Sequence, residues 1–510
     1  MLQDSDRKFF EQDMRREVQD LISTGTVTIV PRPSVASWIK PLQAIWSFRR
    51  KRAPDWSILK HKARLCPHGG MQEEGVNYWH TYAPVVNWRT VRLSLILSLL
   101  SGLKSSQVDY VAAYTQAPLD CELYMNIPPG FVVQNGTLEF SSSSTKGNST
   151  DYLLRLNKNV YGLKQAGNNW FTEIRGSLLA LGFTQSSHDP CLFIRNNCLV
   201  VIYVDDCLFF AKTDAILDDV IMKLKENFTL TPQGDVGAFL GIDIRRTSTG
   251  HLELVQSGLI SKIIAFVGLE SESNEHKTPA TTILHADKDG AYREQDWNYR
   301  AAIGMLNYLG TSTRPDIAFA VHQCARFSSN PKRVHEIAVR RIVRYLKGTK
   351  DKGYILQPSA SRTLDCYVDA DFAGLWSSDI AHDPISVKSR TGYVITFASC
   401  PILWSSKLQT EIALSTTEAE YIAMSQATRD LIPMRDLLSE FASATKLIVS
   451  DTITHSTIFE GNLIDLTHDK LERHRTKVVK VEELIVNYGM NSQEFCVHKK
   501  KAGTAQNEKC

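Results

Sequence analysis

The chain has 510 residues, a formal net charge of +3, 43% hydrophobic residues and 22% charged residues. This length predicts roughly three to four domains, and the composition is that of an ordinary globular protein. Ten cysteines without a Cys-x-x-Cys pair favour reduced thiols in an intracellular compartment over a zinc site or a disulfide framework. The most apolar stretch, which begins at Val91, is shorter than the ~20 residues of a bilayer span, and the N-terminus is charged, so no membrane association is expected.

The first feature in chain order is a basic run between positions 40 and 64. Its cations are Lys40, Arg49, Arg50, Lys51, Arg52, Lys60, Lys62 and Arg64. Such a run can contact phosphates. A solvated surface loop would explain the charge alone equally well.

Two adjacent carboxylates, Asp205 and Asp206, interrupt an apolar run that extends from position 198 to 210. Burying both would be costly, so we expect two short strands joined at the acidic pair, which places the carboxylates at a hairpin tip. Asp109, near the end of a strand-like run that follows a helical stretch, supplies a third acid. Carboxylate oxygens suit Mg²⁺. On these residues alone, a hairpin turn that happens to carry Asp-Asp is the alternative.

Polar segments mark the other expected boundaries. Residues 141–150 are low-complexity, and loop-like stretches begin at Glu270 and Lys347. Between Pro331 and Gly348 the apolar residues have helical spacing. Cations on the adjoining face of this helix could contact phosphates, or the helix could be an ordinary amphipathic surface helix.

Several longer blocks follow one another in a characteristic order. They are "KARL" from Lys62, "YAPVVNWRTVRL" from Tyr82, "QVDYVAAYTQAPLDCELYMNIPPGF" from Gln107, "VYGLKQAGNNWF" from Val160, "YVDD" from Tyr203, "FLGIDIRR" from Phe239, "YRAAIGMLNYLGTSTRPDIAFAV" from Tyr299 and "RYLKGTKDKG" from Arg344. With these blocks the chain resembles the reverse transcriptase–RNase H portion of copia-type (Pseudoviridae-like) LTR retrotransposon polyproteins. The resemblance covers about Lys40 to Lys480.

The resemblance implies an α+β right-hand polymerase with fingers, palm, thumb and connection, followed by an α/β RNase H-like domain. The expected boundaries are 1–245 for fingers and palm with an insertion at 138–150, 246–355 for a thumb or connection-like region, 360–495 for the RNase H-like domain and 496–510 for a basic tail. Since no protease, zinc-knuckle or integrase signature is visible, the chain is expected to be the C-terminal portion of such a polyprotein.

The resemblance also assigns roles in the polymerase. Asp109, Asp205 and Asp206 would be the metal-binding catalytic acids, with two Mg²⁺ ions per site and Mn²⁺ as an alternative. Tyr114 would lie under the incoming sugar and disfavour a 2′-hydroxyl, while Arg64, with Lys62 nearby, would bind the triphosphate. The remaining residues expected to line the nucleotide pocket are Tyr161, Gly162, Lys164 and Gln165.

The C-terminal part resembles RNase H but departs from its pattern. "LDCYVDADFAGLW" from Leu364 would supply the first metal ligand, Asp369, and "TEAEY" would supply Glu418 or Glu420. Where the family has Asp-Asn, this chain has Gly461 and Asn462, with Glu460 one position early, and Lys480 replaces the final acid. A lysine cannot ligate Mg²⁺; Glu460, Glu482 or Glu483 could substitute only if the register shifts. We therefore predict impaired RNase H activity.

The expected function is RNA-directed DNA polymerisation. The expected partners are an RNA template, a DNA or tRNA primer, an RNA–DNA hybrid and deoxynucleoside triphosphates, in a cytoplasmic particle or the nucleus, with a homo-oligomer as one arrangement. The alternative is a non-catalytic, degenerate or domesticated nucleic-acid-binding remnant. The three acids favour catalysis. Decay is favoured by Lys480 and by two fingers segments, "IWSFRRK" from Ile45 and "ARLCPHGGMQ" from Ala63, where the family usually has "KWVFKVK" and "ARLVAKGFTQ".

Overall fold

The computed structural model of the chain describes residues 6–52, 58–141, 150–445, 456–460 and 477–480. Within these residues the helices are α1 (Arg7–Ser23), α2 (Trp88–Ser101), α3 (Ala166–Ala180), α4 (Asp214–Asn227), α5 (Ser257–Phe266), α6 (Tyr299–Ser312), α7 (Ala318–Ala325), α8 (Arg333–Gly348) and α9 (Thr416–Thr445). None of these helices is both long and apolar enough to cross a membrane.

The strands fall into four sheets and two separate hairpins. In chain order they are β1 (Val27–Pro31), β2 (Ala44–Arg52), β3 (Ile58–Pro67), β4 (Lys104–Tyr110), β5 (Pro118–Asn126), β6 (Phe131–Gln134), β7 (Thr137–Phe140), β8 (Tyr152–Lys158), β9 (Thr184–Gln185), β10 (Leu192–Arg195), β11 (Cys198–Tyr203), β12 (Asp206–Ala211), β13 (Leu230–Gly234), β14 (Ala238–Phe239), β15 (Ile242–Arg246), β16 (Leu252–Val255), β17 (Tyr354–Leu356), β18 (Leu364–Ala370), β19 (Arg390–Phe397), β20 (Cys400–Leu408), β21 (Ser456–Glu460) and β22 (Lys477–Lys480).

The two strands predicted around the acidic pair are present as β11 and β12, in a six-stranded sheet of order β13-β4-β12-β11-β10-β9. Alternate residues of these strands point to opposite faces. Leu199 and Leu208 pack with α2 on one face, while Val200 and Phe209 pack with α3 and α4 on the other. Because both faces are covered, the strands read as a continuous apolar run rather than as an alternating pattern.

Apart from Lys40, the cations of the basic run lie on two paired antiparallel strands, β2 and β3, here called the β2–β3 hairpin, and not in a loop. Helix α1 packs along β3 and buries Phe10 and Met14. Asp6, which precedes α1, lies 2.5 Å from Arg50 and 3.0 Å from His61. The N-terminal helix therefore holds the hairpin through both apolar contacts and ion pairs.

The predicted helix between Pro331 and Gly348 is α8, and its apolar face is buried against α5 and α7. Its cations bind the polar segment that precedes them in the chain. Arg340 and Arg344 both pair with Glu272, and Lys347 donates to main-chain carbonyls of residues 269, 270 and 272. This arrangement favours the amphipathic packing helix over the phosphate-contacting alternative.

The C-terminal part contains a five-stranded sheet of order β20-β19-β18-β21-β22, with α9 against β18 and β19. The strand predicted from Leu364 is β18, and the helix predicted at "TEAEY" is α9. Strand β18 pairs antiparallel with β19 and parallel with β21. Residues 142–149 of the expected insertion, and the expected tail, lie outside the described residues.

Arg92 joins the two halves of the molecule. It lies on α2 with only 1% of its surface exposed, and burial lowers the pKa of its guanidinium. Its guanidinium donates to the carbonyl oxygens of Ile402 at 2.7 Å, Thr311 at 2.5 Å and Ser312 at 2.7 Å, and lies 4.1 Å from the ring centroid of Trp404. A buried cation here is therefore satisfied by carbonyl groups and an aromatic face.

We predict that Arg92→Met destabilises the chain by about 3 kcal/mol or more, because it leaves three carbonyl groups without this donor in a buried site. The urea concentration at half-unfolding measures the effect. Arg89→Ala, about one turn earlier on the same helix and half-buried, is the matched control. Equal midpoints for the two variants would show that Arg92 does not hold the halves together.

Candidate active site

The structure brings the three predicted acids together at one end of the neighbouring strands β4 and β12, inside the six-stranded sheet. Asp109 on β4 and Asp206 on β12 are register partners across neighbouring antiparallel strands. Asp205 lies in the turn between β11 and β12, and its carbonyl oxygen accepts a hydrogen bond of 3.0 Å from the amide of Tyr110. All three acids are half-buried, so each combines partial desolvation with access from solvent.

The three carboxylates influence one another. Burial, followed by the negative charges of Asp205 and Asp109, raises the pKa of Asp206 to about 6. Burial and Asp205 also raise the pKa of Asp109, while Lys62 and Lys51 act in the opposite direction. Like charges at close range disfavour ionisation and would be relieved by a cation.

Carboxylate oxygens that repel one another fit a hard divalent ion. Within the described ranges, however, no three His, Cys, Asp or Glu side chains are gathered in an arrangement that could hold a metal ion. The backbone register thus places the three acids together, but their side chains do not point to one common metal position.

The turn that carries Asp205 has an unusual backbone. Tyr203 pairs with Asp206, which leaves Val204 and Asp205 as a two-residue loop. Val204 has φ +55°, whereas Asp205 is not among the positive-φ residues, which is the pattern of a type II′ turn. That turn normally has glycine at its first loop position, and a β-branched residue there costs about 1–3 kcal/mol.

Aromatic and basic side chains lie beside the acids. The Arg64 guanidinium lies 3.6 Å from the centroid of the Tyr161 ring, and the Tyr161 and Tyr114 rings are 4.7 Å apart. The negative charge of Asp205 contributes to raising the pKa of both tyrosines, after burial. A cavity of about 410 Å³, lined in part by Arg64, Tyr161 and Glu17, adjoins this group. Arg64, Tyr114 and Tyr161 therefore share one site with the acids.

The hairpin that carries Arg64 places like charges opposite each other. Arg49 is the register partner of Lys62, and Lys51 is the register partner of Lys60. Directly opposed like charges destabilise a pair of strands. These cations are exposed, so the hairpin offers a basic surface that an anion would stabilise.

Two residues of the "YGLKQA" block, Lys164 and Gln165, make contacts with the 72–78 segment of the chain. Gln165 is fully buried, with its amide bonded to Gln72 at 2.8 Å and to the Asn77 carbonyl at 3.1 Å. The Lys164 ammonium lies over the Tyr78 ring at 4.3 Å and donates to the Tyr78 hydroxyl at 3.1 Å. Because these polar atoms bond to the 72–78 segment, Lys164 and Gln165 support the pocket wall.

Gly162 has a steric role. Its φ is +108°, and a Cβ atom there would lie 2.6 Å from the Pro67 carbonyl oxygen. Any other residue would push the loop away from the end of β3. Gly162 thus allows the close approach of two chain segments and places Tyr161 beside Arg64.

The predicted nuclease ligands are less well assembled. Asp369 lies on β18 and is half-buried. Glu418 accepts a hydrogen bond of 2.7 Å from the Leu414 amide, and its own amide donates to Ser415 Oγ at 3.1 Å. Both bonds lie at the start of α9, so the carboxylate of Glu418 is engaged at its own helix N-terminus. Glu420 lies in the first turns of the same helix.

The backbone register fixes the remaining positions of this region. Glu460 is the partner of Val368, one residue before Asp369. Lys480 on β22 pairs with Thr457 on β21, and Thr457 pairs with Asp365 on β18. Asp365 lies near the end of β18 that is opposite to Asp369. Gly461, Asn462, Glu482 and Glu483 lie outside the described residues.

Comparison with known proteins identifies the family. A family model described as "Reverse transcriptase (RNA-dependent DNA polymerase)" matches residues 25–282, which is just over half of the chain. The chain belongs to this reverse transcriptase family.

The relatives are retrotransposon polyproteins. The chain is 32% identical over 435 residues to the retrovirus-related Pol polyprotein from transposon RE2 of Arabidopsis thaliana, which covers 84% of this chain and 28% of that protein. It is 31% identical over 481 residues to the corresponding polyprotein from transposon TNT 1-94 of Nicotiana tabacum, covering 92% and 34%. The predicted copia-type relationship is confirmed, and the chain spans about a third or less of these relatives.

A solved structure, a foamy viral protease–reverse transcriptase in complex with double-stranded DNA, aligns with 91% of this chain and 64% of that chain. The sequence identity is 12% and the TM-score is 0.43.

Two residues of this candidate site, Trp170 and Val204, were not predicted from the sequence. Trp170 lies in the quoted block "VYGLKQAGNNWF", and its indole Nε1 donates to the Val204 carbonyl at 2.7 Å. The sequence leaves only two residues between β11 and β12. A two-residue hairpin loop needs a positive φ, so this short spacing could have predicted the unusual backbone of Val204. No sequence pattern pairs Trp170 with Val204, which are 34 positions apart.

We predict that Asp206→Asn raises the melting temperature by a few degrees in EDTA at pH 7.5. The pKa of Asp206 is about 6 in the folded chain and about 3.9 in an unfolded one. The folded state therefore binds the proton more tightly and gains stability as pH falls from above 6 to below 4. The advantage of Asn should shrink over that range.

Thermal unfolding at pH 7.5 and at pH 4 measures this difference. Asp218→Asn, on the exposed surface of α4, is the control for removal of a remote carboxylate. A lower melting temperature for Asp206→Asn at pH 7.5 would contradict mutual repulsion of the acids.

Proposed function

We propose that this member of the reverse transcriptase family is a Mg²⁺-dependent RNA-directed DNA polymerase that transfers nucleotides from deoxynucleoside triphosphates to a primer 3′-hydroxyl. The observation that carries the proposal is the register pairing of Asp109 with Asp206, beside Asp205 in the adjoining turn. The pKa values of Asp109 and Asp206 are both raised. Neighbouring acids with raised pKa values are typical of functional sites.

The acids would hold the metal ions, with Asp109 and Asp206 facing each other and Asp205 next to them. Bound Mg²⁺ supplies activation of the attacking hydroxyl and charge stabilisation of the leaving pyrophosphate. The sheet contributes fixed backbone positions, because β12 is paired along its length with β11 on one side and with β4 on the other. Such rigid placement is what a catalytic group requires.

The basic hairpin would bind the triphosphate. Arg64 presents a planar fork of donors that matches phosphate oxygens, and the Tyr161 ring on which it lies holds its orientation. Lys62 is exposed opposite Arg49, so a phosphate group would also relieve a like-charge pair. Tyr114, whose ring lies 4.7 Å from that of Tyr161, would occupy the space of a ribose 2′-hydroxyl and so select deoxynucleotides.

The expected macromolecular partners are an RNA template and a DNA or tRNA primer. Polymerases hold such duplexes chiefly through backbone and shape contacts. The opposed cations of β2 and β3 would provide electrostatic attraction of this sequence-independent kind. Intracellular localisation in a particle or the nucleus stays a proposal from the family resemblance.

We further propose that the C-terminal sheet is an RNase H-like domain with impaired nuclease activity. A strand order with a parallel β18–β21 pair and a covering helix is compatible with that fold. The engagement of Glu418 at its own helix N-terminus, and Gly461 where the family has an acid, weaken the acidic set around Asp369. Two Mg²⁺ ions generally require more carboxylates than remain there.

We predict primer extension on an RNA template with Mg²⁺ and deoxynucleotides by the native chain. Asp205→Asn should reduce extension at least ~1000-fold, because it removes a charged metal ligand. Gel analysis of a labelled primer measures it, with Asp218→Asn as the matched control. If the native chain binds the hybrid without extending it, the chain is a non-catalytic remnant and the polymerase proposal is wrong.

We predict that the same preparation does not hydrolyse the RNA strand of a labelled hybrid above background, since its acidic set is incomplete. Extension in a parallel reaction shows that the preparation is competent. Hydrolysis that is lost in Asp369→Asn would contradict the prediction and show that the nuclease ligands are complete.

A further inference from the structure

The turn that presents the acids is held from outside at both of its loop residues. The Val204 carbonyl accepts the Trp170 indole N–H at 2.7 Å, and the Asp205 carbonyl accepts the Tyr110 amide at 3.0 Å. The second bond connects the turn to β4, the strand of Asp109. The first comes from a side chain on α3, outside the sheet.

The Val204 carbonyl belongs to the peptide between the two loop residues. Rotation of this central peptide is what interconverts related turn types, and it changes ψ of the first loop residue and φ of the second. The orientation of the carbonyl therefore sets the direction in which Asp205 leaves the backbone. An external donor to this carbonyl selects one of the available turn geometries.

Valine does not hold this geometry by itself. Val204 has φ +55°, a conformation that a β-branched residue adopts only when its surroundings impose it. Glycine is the usual residue at this position of a type II′ turn. The surroundings must therefore supply what the sequence of the turn lacks.

Trp170 is well placed to supply it. Its side chain is 1% exposed and packs edge-on against Tyr110 at 5.1 Å and Phe228 at 5.5 Å between ring centroids. These contacts fix the ring, so the direction of its N–H is fixed as well. The buried indole N–H and the carbonyl of the half-buried Val204 satisfy each other, and removing the donor costs this hydrogen bond.

We propose that Trp170 is a positioning residue for the active site, whose indole N–H fixes the Val204–Asp205 peptide and keeps the acidic turn in its strained geometry. The importance of that geometry for catalysis rests on the proposed polymerase function. The anchoring of the turn does not depend on it, and can be measured separately.

The test compares Trp170→Phe with Trp404→Phe. Both changes keep an apolar ring and remove one indole N–H, and Trp404 on β20 donates to the Gly310 carbonyl at 2.7 Å, away from the acidic turn and the basic hairpin. Trp170→Phe should reduce the extension rate at saturating deoxynucleotide about tenfold or more and raise the Mg²⁺ concentration needed for half-maximal rate. Trp404→Phe should extend the primer like the native chain.

Val204→Gly provides the rescue. Because glycine adopts a positive φ without a Cβ penalty, the turn should form in Trp170→Phe/Val204→Gly without the indole bond, and most of the lost extension should return. If Trp170 acts only through packing, the glycine will not restore activity, and the proposal is overturned. Should Trp170→Phe fail to fold, recovery of folding in the double variant supports the proposal, and no recovery overturns it.

Hydrogen exchange measures the anchor without catalysis. The Tyr110 amide, which donates to Asp205, should exchange about tenfold faster in Trp170→Phe and return to the native rate in the double variant. If the native chain extends no primer but these exchange changes occur, the polymerase proposal fails and the anchor stands. The anchoring proposal is overturned if the Tyr110 amide exchanges at the native rate in Trp170→Phe. Where the native chain extends primers, unchanged extension in Trp170→Phe would accompany that result.

Discussion

The antiparallel pairing of β4 with β12 is the constraint on which the active site depends. It places Asp109 opposite Asp206, and a slip of one residue would both separate these acids and turn the buried faces of each strand around. Leu208 and Phe210 pack on one side of the sheet, and Phe209 packs on the other. The hydrophobic cores on the two faces therefore fix the register, and the register fixes the carboxylates.

A few polar contacts arrange the rest of the molecule around this sheet. Arg92 extends from α2 to carbonyl groups of α6 and β20, while Glu440 of α9 accepts hydrogen bonds from Ser186 and Ser187, which follow β9. A hydrophobic cluster continues from the acid-bearing sheet to the C-terminal sheet. The C-terminal part is thus packed onto the part of the chain that carries the three acids.

The acidic turn shows how a functional position departs from local preference. Each strand beside it has the expected sequence, but Val204 does not suit the backbone that it adopts. Such conflicts are expected where function sets the geometry, and they persist only when surrounding contacts determine the conformation. Here those contacts come from Trp170 and Tyr110, and both lie outside the turn itself.

Sequence alone determined the strands around Asp205 and Asp206, the strand that ends near Asp109, and the amphipathic α8, because a local pattern of consecutive residues specifies each of them. It also determined the family, because the family's motifs are short continuous blocks in a fixed order. Tertiary structure decided which polar groups remain available. It engages Gln165 in a buried amide network, engages Glu418 at its own helix N-terminus, and pairs the cations of α8 with Glu272. The physical reason is that a polar side chain bonds to whatever donor or acceptor lies within about 3 Å, and those neighbours come from segments far apart in the sequence.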